Sequence, residues 1–425
     1  MTVPTEASEV RSDAVIDVDH HAEEFNLHEL EGWAKIRERC PVAYNTRYGG
    51  FWMVTNYEGV AQVARDGETF AHKYEPNAPD GIDYLGETGV PRPDGTPPLG
   101  VGEVDGPYHQ ALRRALNPFL SPPAVERMRP FMEQSVTWFL DQKIESGEID
   151  LVLDYTNPVP AVLTMRMMGL PADDWKHYAD MFHTVMSYPV TSEEFHRATA
   201  PMEEMSAHLL EFAASRRAAP ADDLTSFLVH LEIDGQPLTD AQINDILWNL
   251  IGGGVDTTTS LTSWTLYHLA AHPELRDQLI ARPELYVNAA DEFLRYYSVN
   301  QTLSRTVTRD VEVCGQQLRR NDQVLISWLS ANHDPAEFDR PDEVVLDRRV
   351  NRHLAFGLGP HRCIGSHLAR VMFTVMVKEV LARIPDYAVD VDNVRQYLGS
   401  PSMTGLVDLP ATFTPGPVIG VAKPF

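Results

Sequence analysis

Cys363 stands in the run Phe356-Gly357-Leu358-Gly359-Pro360-His361-Arg362-Cys363-Ile364-Gly365, directly before an amphipathic helical pattern (SHLARVMFTVMVKEVLARI). A lone cysteine in a glycine-rich turn at a helix start meets unpaired backbone N–H groups, which favour thiolate over thiol. Gly357, Gly359 and Gly365 are expected to let backbone approach the sulfur without a Cβ in the way. Such surroundings suit a thiolate metal ligand; the plainer reading of a cysteine is a small buried hydrophobe. The other two cysteines, Cys40 and Cys314, are far away in sequence and no paired spacing occurs. Neither a disulfide framework nor a zinc site is indicated, and a reducing compartment is expected.

Further candidates sit on helical patterns. Gly252-Gly253-Gly254-Val255-Asp256-Thr257-Thr258 lies inside a proline-free stretch from Thr239, which has capping-box spacing to Gln242, to His272 before Pro273. Three mid-helix glycines cost about 1 kcal/mol each relative to alanine, so a compensating role is expected there. Glu292 and Arg295 share a helical face at i and i+3, and His109 and Arg113 lie one turn apart. Arg305 and His361 are cationic candidates in Ser304-Arg305-Thr306-Val307 and in the cysteine run. Taken singly, each of these is an ordinary surface or core residue.

Together and in this order they resemble a known family. The cysteine run is similar to the haem-binding loop of the cytochrome P450 superfamily, F-x-x-G-x-x-x-C-x-G, matched at Phe356, Gly359, Cys363 and Gly365. The resemblance implies haem b with Cys363 as its axial metal ligand, donating electron density that favours O–O cleavage. Gly253 and Gly254 fill the family's oxygen-binding pattern [A/G]-G-x-[D/E]-T, in which glycine lets the helix bulge away from the iron and leaves room for O2. Cleaving dioxygen needs two protons, and the resemblance gives their relay to Thr257 and Asp256. A threonine hydroxyl bonded back to a carbonyl one turn earlier is the structural alternative, compatible with the relay.

The same resemblance makes Glu292 and Arg295 the E-x-x-R pair that supports the haem loop. A third basic residue usually comes from a segment like Phe338-Asp339-Arg340-Pro341-Asp342-Glu343-Val344, and Glu343 occupies the position where Arg is commonest. Arg340 or Arg348 is the expected substitute. His109, Arg113, Arg305 and His361 match the family's contacts to the haem propionates, whose charge must be neutralised when partly buried.

These groups need a scaffold. The chain has 425 residues, 43% hydrophobic and 23% charged, the proportions of an ordinary globular protein. The net charge of -26 argues against a nucleic-acid partner. Residues 1–25 read as a flexible acidic segment without a secretion signal, and no stretch is apolar enough to anchor in a membrane, so a cytoplasmic protein is expected. A β-hairpin is expected around Tyr48-Gly49-Gly50 and Phe51-Trp52-Met53-Val54. Tyr74 to Gly106 is a long Pro- and Gly-rich loop of the kind that forms lids. Helical patterns dominate afterwards, with strand-like segments near 305–313 and 324–329 and a last helix over about 364–384. The expected fold class is mainly α with minor β sheets, a single cytochrome P450 fold over 26–425 with haem between the long central helix and the cysteine-loop helix.

The implied function is a monooxygenase that inserts one oxygen atom, by hydroxylation, into a hydrophobic small molecule such as a terpenoid, steroid or fatty acid. Segments expected near the open iron face are 74–106, 186–202, 249–253, 299–303 and 403–406. No flavin or Rossmann fingerprint is visible, so electrons are expected from a ferredoxin and its NAD(P)H-dependent ferredoxin reductase, docking on a basic patch with Arg114, Arg352 and Arg362. The alternatives are a peroxygenase driven by hydrogen peroxide and a non-catalytic haem sensor.

Overall fold

The computed structural model describes residues 5–6, 10–93, 96–189, 191–398 and 402–425. The tetrads Val42–Asn45 (β2) and Phe51–Val54 (β3) are buried at every position and pair as the expected antiparallel hairpin, Val42 opposite Val54. With Val15–Ile16 (β1), Phe70–Ala71 (β4), Thr302–Val307 (β5) and Gln323–Ser327 (β6) they form a sheet of order β1-β2-β3-β6-β5-β4. Strands β3 and β6 pair in parallel, Trp52 opposite Val324, and β6 pairs antiparallel with β5. Burial of both faces explains why β3 (Phe-Trp-Met-Val) and the middle of β6 (Val-Leu-Ile) read as continuous apolar runs rather than alternating ones.

The rest is largely helical. The helices used below are Gly106–Leu120 (α1), Pro122–Asp141 (α2), Pro158–Met168 (α3), Trp175–Ser187 (α4), Asp240–Ala271 (α5), Tyr286–Tyr297 (α6) and Ser366–Arg383 (α7). Helix α5 starts at a complete capping box: the Gln242 N–H donates to Thr239 Oγ1 (3.2 Å) and the Thr239 N–H to Gln242 Oε1 (2.9 Å). Its 32 residues make a rod about 48 Å long. Ile243, Ile246, Leu247, Leu250, Ile251 and Val255 pack into one apolar cluster with α3 and α4, and Leu261, Trp264, Leu266 and Leu269 into another with α2, α6 and α7. The Gly-, Asp- and Thr-rich stretch lies between those clusters, where the apolar stripe is interrupted.

The described residues of the N-terminal segment carry regular contacts. Residues 1–25 were expected to be flexible, yet β1 extends the sheet in parallel with β2, and Thr5 donates from its N–H and hydroxyl to Asp322 (both 2.7 Å). Ala14 and Ile16 are buried with Trp33. A three-residue apolar run, Ala14-Val15-Ile16, is enough to add one edge strand, and the acidic composition around it hides the signal. The proline- and glycine-rich loop is also ordered where described: Tyr74–Glu75 pairs with Tyr84–Leu85, and Arg92 and Glu103 form a buried bidentate ion pair (Nη2 to Oε2 3.0 Å). Its residues 94–95 lie outside the described ones.

Candidate functional site

Helix α5, the cysteine run, α1, α7 and β5 enclose one cavity. Its lining includes Cys363, Phe356, Gly365, Arg113, Arg305, His361, Gly253, Gly254 and Thr257, with Leu250, Val299, Leu303 and Leu368 among the apolar walls. Residues scattered over 250 positions of sequence thus meet in one space. His109 and Asp256 do not line it; each stands directly behind a residue that does.

Cys363 is exposed to this cavity while protein surrounds it elsewhere. Its N–H donates to the Phe356 carbonyl (2.7 Å), closing the loop before α7. Burial pushes the thiol above its ordinary value; the Gly365 N–H and the guanidinium groups of Arg113, Arg362 and Arg370 act the other way without overcoming it. The Gly365 N–H and these guanidinium groups are what the protein itself contributes toward a thiolate at Cys363. The loop glycines also differ from expectation. Gly359 has φ +73° and a Cβ there would meet the Ala64 carbonyl oxygen at 2.4 Å, so it seats the loop on the helix Tyr57–Arg65 rather than against the sulfur. A Cβ on Gly365 would still be 3.9 Å from Cys363 Sγ.

The three glycines of α5 divide in the same way. A Cβ on Gly252 would lie 2.8 Å from the Phe182 ring and one on Gly254 2.8 Å from Thr164 Oγ1, so these two permit close helix packing. A Cβ on Gly253 would meet nothing within 4 Å. Gly253 therefore leaves open space on the cavity side. The helix remains α-helical through this point, with the Thr257 hydroxyl donating to the Gly253 carbonyl (2.8 Å).

A polar edge closes one side of the cavity. Arg305 on β5 is 2% exposed; it donates through Nη1 to the Ser304 carbonyl (2.5 Å), while its Nε has no partner. Burial lowers its pKa to about 10. The rings of His72, His361 and His109 stack in series at 3.5 and 3.8 Å, and His109 Nε2 is buried without a partner. His361 Nε2 meets Asp105 Oδ1 (3.0 Å) and His72 Nδ1 meets Glu87 Oε2 (2.9 Å). Burial opposes ionisation of Asp105, but His361 and backbone N–H groups outweigh it and bring the carboxyl to about 2. Arg113 donates through Nη2 to the Arg362 carbonyl (2.6 Å), tying α1 to the cysteine loop. His72 and Glu87 escape sequence reasoning because they lie just beyond strand ends in an irregular loop, and Asp105 because it is the N-cap residue of α1, where no periodicity marks a residue as inward.

Beneath the loop, Glu292 gathers a network. Its carboxylate accepts from Arg295 Nε (3.1 Å) and Nη2 (2.9 Å), Arg348 Nε (2.9 Å) and Nη2 (3.2 Å), Asn351 Nδ2 (3.1 Å) and the Val345 N–H (2.8 Å). Arg348 is thus the third basic member; Arg340 instead pairs with Glu343 on the surface (3.2 Å). Arg295 also donates to the carbonyls of Asn332, Pro341 and Glu343. Asn332 Oδ1 accepts from the Leu354 N–H (2.6 Å), and the Leu354 carbonyl accepts from Gly357 (2.7 Å). A continuous chain of bonds runs from Glu292 to the cysteine loop.

The cytochrome P450 family profile matches residues 25–282 and 284–384. The chain belongs to the cytochrome P450 family. It is 33% identical to nocardicin C N-oxygenase of Nocardia uniformis subsp. tsuyamanensis over 392 residues, covering 90% of this chain and 95% of that protein. It is 30% identical over 376 residues to the steroid C26-monooxygenase of Mycobacterium tuberculosis (strain CDC 1551 / Oshkosh), covering 87% and 97% of the two chains. The structure of a mutant of P450 EryK in complex with erythromycin B superposes with a TM-score of 0.81 at 28% identity, covering 95% of this chain and all of that one. The protein is a P450 monooxygenase acting on a small molecule, and membership implies haem.

The residues present fit that group. The cavity has a thiol in its lining and, at one edge, Arg305, whose buried Nε lacks a protein partner; His109 Nε2, stacked behind His361, is likewise buried without one, and unpaired donors are what propionates require. No helix among the described residues is long and apolar enough to cross a membrane.

Proposed function

We propose that this P450 hydroxylates a hydrophobic small molecule of steroid or macrolide type with O2, using electrons from a separate ferredoxin and its NAD(P)H-dependent reductase. The observation that carries this reading is the shared cavity of Cys363, Gly253 and Thr257. Haem b, when bound there, supplies the reduction and activation of dioxygen. Cys363 would be its thiolate ligand, Phe356 and Gly365 would shape the ligand loop, and His109, Arg113, Arg305 and His361 would hold the propionates. Gly253 leaves room for dioxygen and substrate. Thr257 offers a hydroxyl at the cavity, and Asp256 behind it is the carboxylate that supplies protons.

Val101, Leu250, Val299 and Leu303 line the cavity with Asn249 and Asn300, which suits an apolar substrate with one or two polar anchors. The described residues of 186–202 and 403–406 do not line it. Met403 bridges Asn300 as an isolated β pair and so lies one layer back, and Phe182, earlier on α4, is the side chain that reaches Gly252. The relative named a steroid monooxygenase and the structure holding erythromycin B support this substrate class.

For the electron donor, Arg114 and Arg362 are exposed near the cysteine loop, whereas Arg352 is paired with Glu337 (2.8 Å) and contributes less. Three free cysteines suit a cytoplasmic setting. The test is turnover of steroids and macrolides, shortlisted by Soret-band titration, with NADH, ferredoxin, reductase and labelled dioxygen. One labelled oxygen atom per product is expected; product formed from peroxide but none with NADH, ferredoxin, reductase and dioxygen would overturn the reading in favour of a peroxygenase.

A further inference from the structure

Asp256 is 1% exposed and turned from the cavity into a pocket of the fold. Its Oδ1 accepts from the Tyr397 hydroxyl (2.9 Å), and its Oδ2 is buried without a partner. The same tyrosine oxygen lies 3.0 Å from Nδ1 of His183 on α4, whose Nε2 lies 2.8 Å from the Val407 carbonyl. Tyr397 is placed by Arg395–Gln396 (β7) pairing with Leu406–Asp408 (β8), and by Gly405, where a Cβ would sit 2.3 Å from the tyrosine ring.

Counting hydrogens decides what this unit can do. His183 Nε2 faces a carbonyl and must carry a hydrogen. Tyr397 has one hydrogen and two possible acceptors, Asp256 Oδ1 and His183 Nδ1. With neutral His183 the two compete, because Asp256 Oδ1 and His183 Nδ1 are 3.7 Å apart and do not bond directly. With His183 protonated, Nδ1–H donates to the tyrosine oxygen and the tyrosine O–H to the carboxylate, so both are satisfied. Burial opposes that charge, but the Asp256 carboxylate outweighs it and holds His183 above its ordinary pKa. The other charged group acting on His183 is Asp180 on its own helix, and Asp408, paired with Arg395 of β7, follows Val407 in β8, the strand that meets His183 Nε2.

We propose that His183 and Tyr397 are positioning residues that recharge Asp256 with protons during dioxygen reduction. One proton passes from His183 Nδ1 to the tyrosine oxygen while the tyrosine proton passes to Asp256 Oδ1, leaving neutral histidine and a carboxylic acid with no net change of charge. His183 is the more exposed end, its side chain 8% accessible against 2% for Asp256. The inference rests on the proposed role of Asp256 and Thr257.

Hydroxylation with dioxygen consumes two electrons and two protons, whereas hydrogen peroxide already carries both, so only the first route needs the relay. In Tyr397→Phe and His183→Gln holoenzyme, the ratio of NADH-driven to peroxide-driven turnover should fall roughly tenfold with substrate affinity unchanged. A merely structural role lowers both routes together and leaves the ratio at the wild-type value, which would overturn the proposal. Nitrogen-15 NMR of labelled histidine gives a readout without turnover. His183 should be a doubly protonated imidazolium at neutral pH and become neutral in Asp256→Asn; a neutral ring in both refutes the relay. If Asp256→Asn lowers the ratio and Tyr397→Phe does not, the role of Asp256 stands and that of His183 and Tyr397 falls. If Asp256→Asn leaves the ratio unchanged, both fall.

Discussion

Replacing Glu292 with glutamine tests whether the buried network holds the cysteine loop. The carboxylate and the Arg295 guanidinium are fully buried, and the Arg348 side chain is 9% exposed. Glutamine keeps the shape and removes the charge that both arginines face, so two buried cations lose their counterion. Breaking a buried pair in this way costs about 3–5 kcal/mol. For 425 residues the unfolding entropy is about 0.9 kcal/mol/K, so Tm should fall by about 3–6 °C in differential scanning calorimetry. Arg348→Met removes the less buried cation together with part of the network and should cost less, about 2 kcal/mol. Glu343→Ala should be nearly neutral, about 0–1 kcal/mol, since its side chain only pairs with Arg340 in solvent. The Glu292 variant should also lose haem more readily, because the bonded chain from Asn332 to Gly357 is what it anchors. A Tm within 1 °C of wild type together with unchanged haem retention would refute this account of the network.

The other predictions concern the cavity and the buried histidines. Thr257→Ala should retain fold and substrate affinity while product per NADH falls and released peroxide rises; an unchanged ratio would reduce Thr257 to its bond with the Gly253 carbonyl. Gly253→Ala should raise stability by about 1 kcal/mol because its Cβ meets open space, yet weaken substrate binding in a Soret titration, whereas Gly254→Ala should gain nothing because it meets Thr164. Burial of His333 brings its pKa to about 3, below its unfolded value, so the unfolded chain binds the extra proton and stability falls as pH drops from about 6.5 toward 3. The slope is up to about 1.4 kcal/mol per pH unit, and His333→Leu should make urea midpoints measured down this range less steep.

What the sequence reveals is the part with spacing. The glycine-rich cysteine run, the capped 32-residue helix and the i, i+3 pair each leave a local signature, and the cavity brings most of the residues so named together. What it conceals depends on packing between distant segments. The choice between Arg340 and Arg348 as the third basic member is made by packing across 56 positions, and His183 and Tyr397 converge on Asp256 from elements with no shared period. The roles of the individual glycines were also hidden, because identical residues at 252, 253 and 254 differ only in what stands opposite each. The strand Val15–Ile16 is hidden by acidic neighbours of a short apolar run.

The most direct measurement is the absorption spectrum of the reduced, carbon monoxide-bound protein, wild type beside Cys363→His. The wild type should show the long-wavelength Soret band that thiolate ligation produces, and the variant should lose it while Cys40 and Cys314 remain. A band that persists in Cys363→His, or that disappears instead on replacing Cys40 or Cys314, would contradict the assignment of Cys363 as the haem ligand.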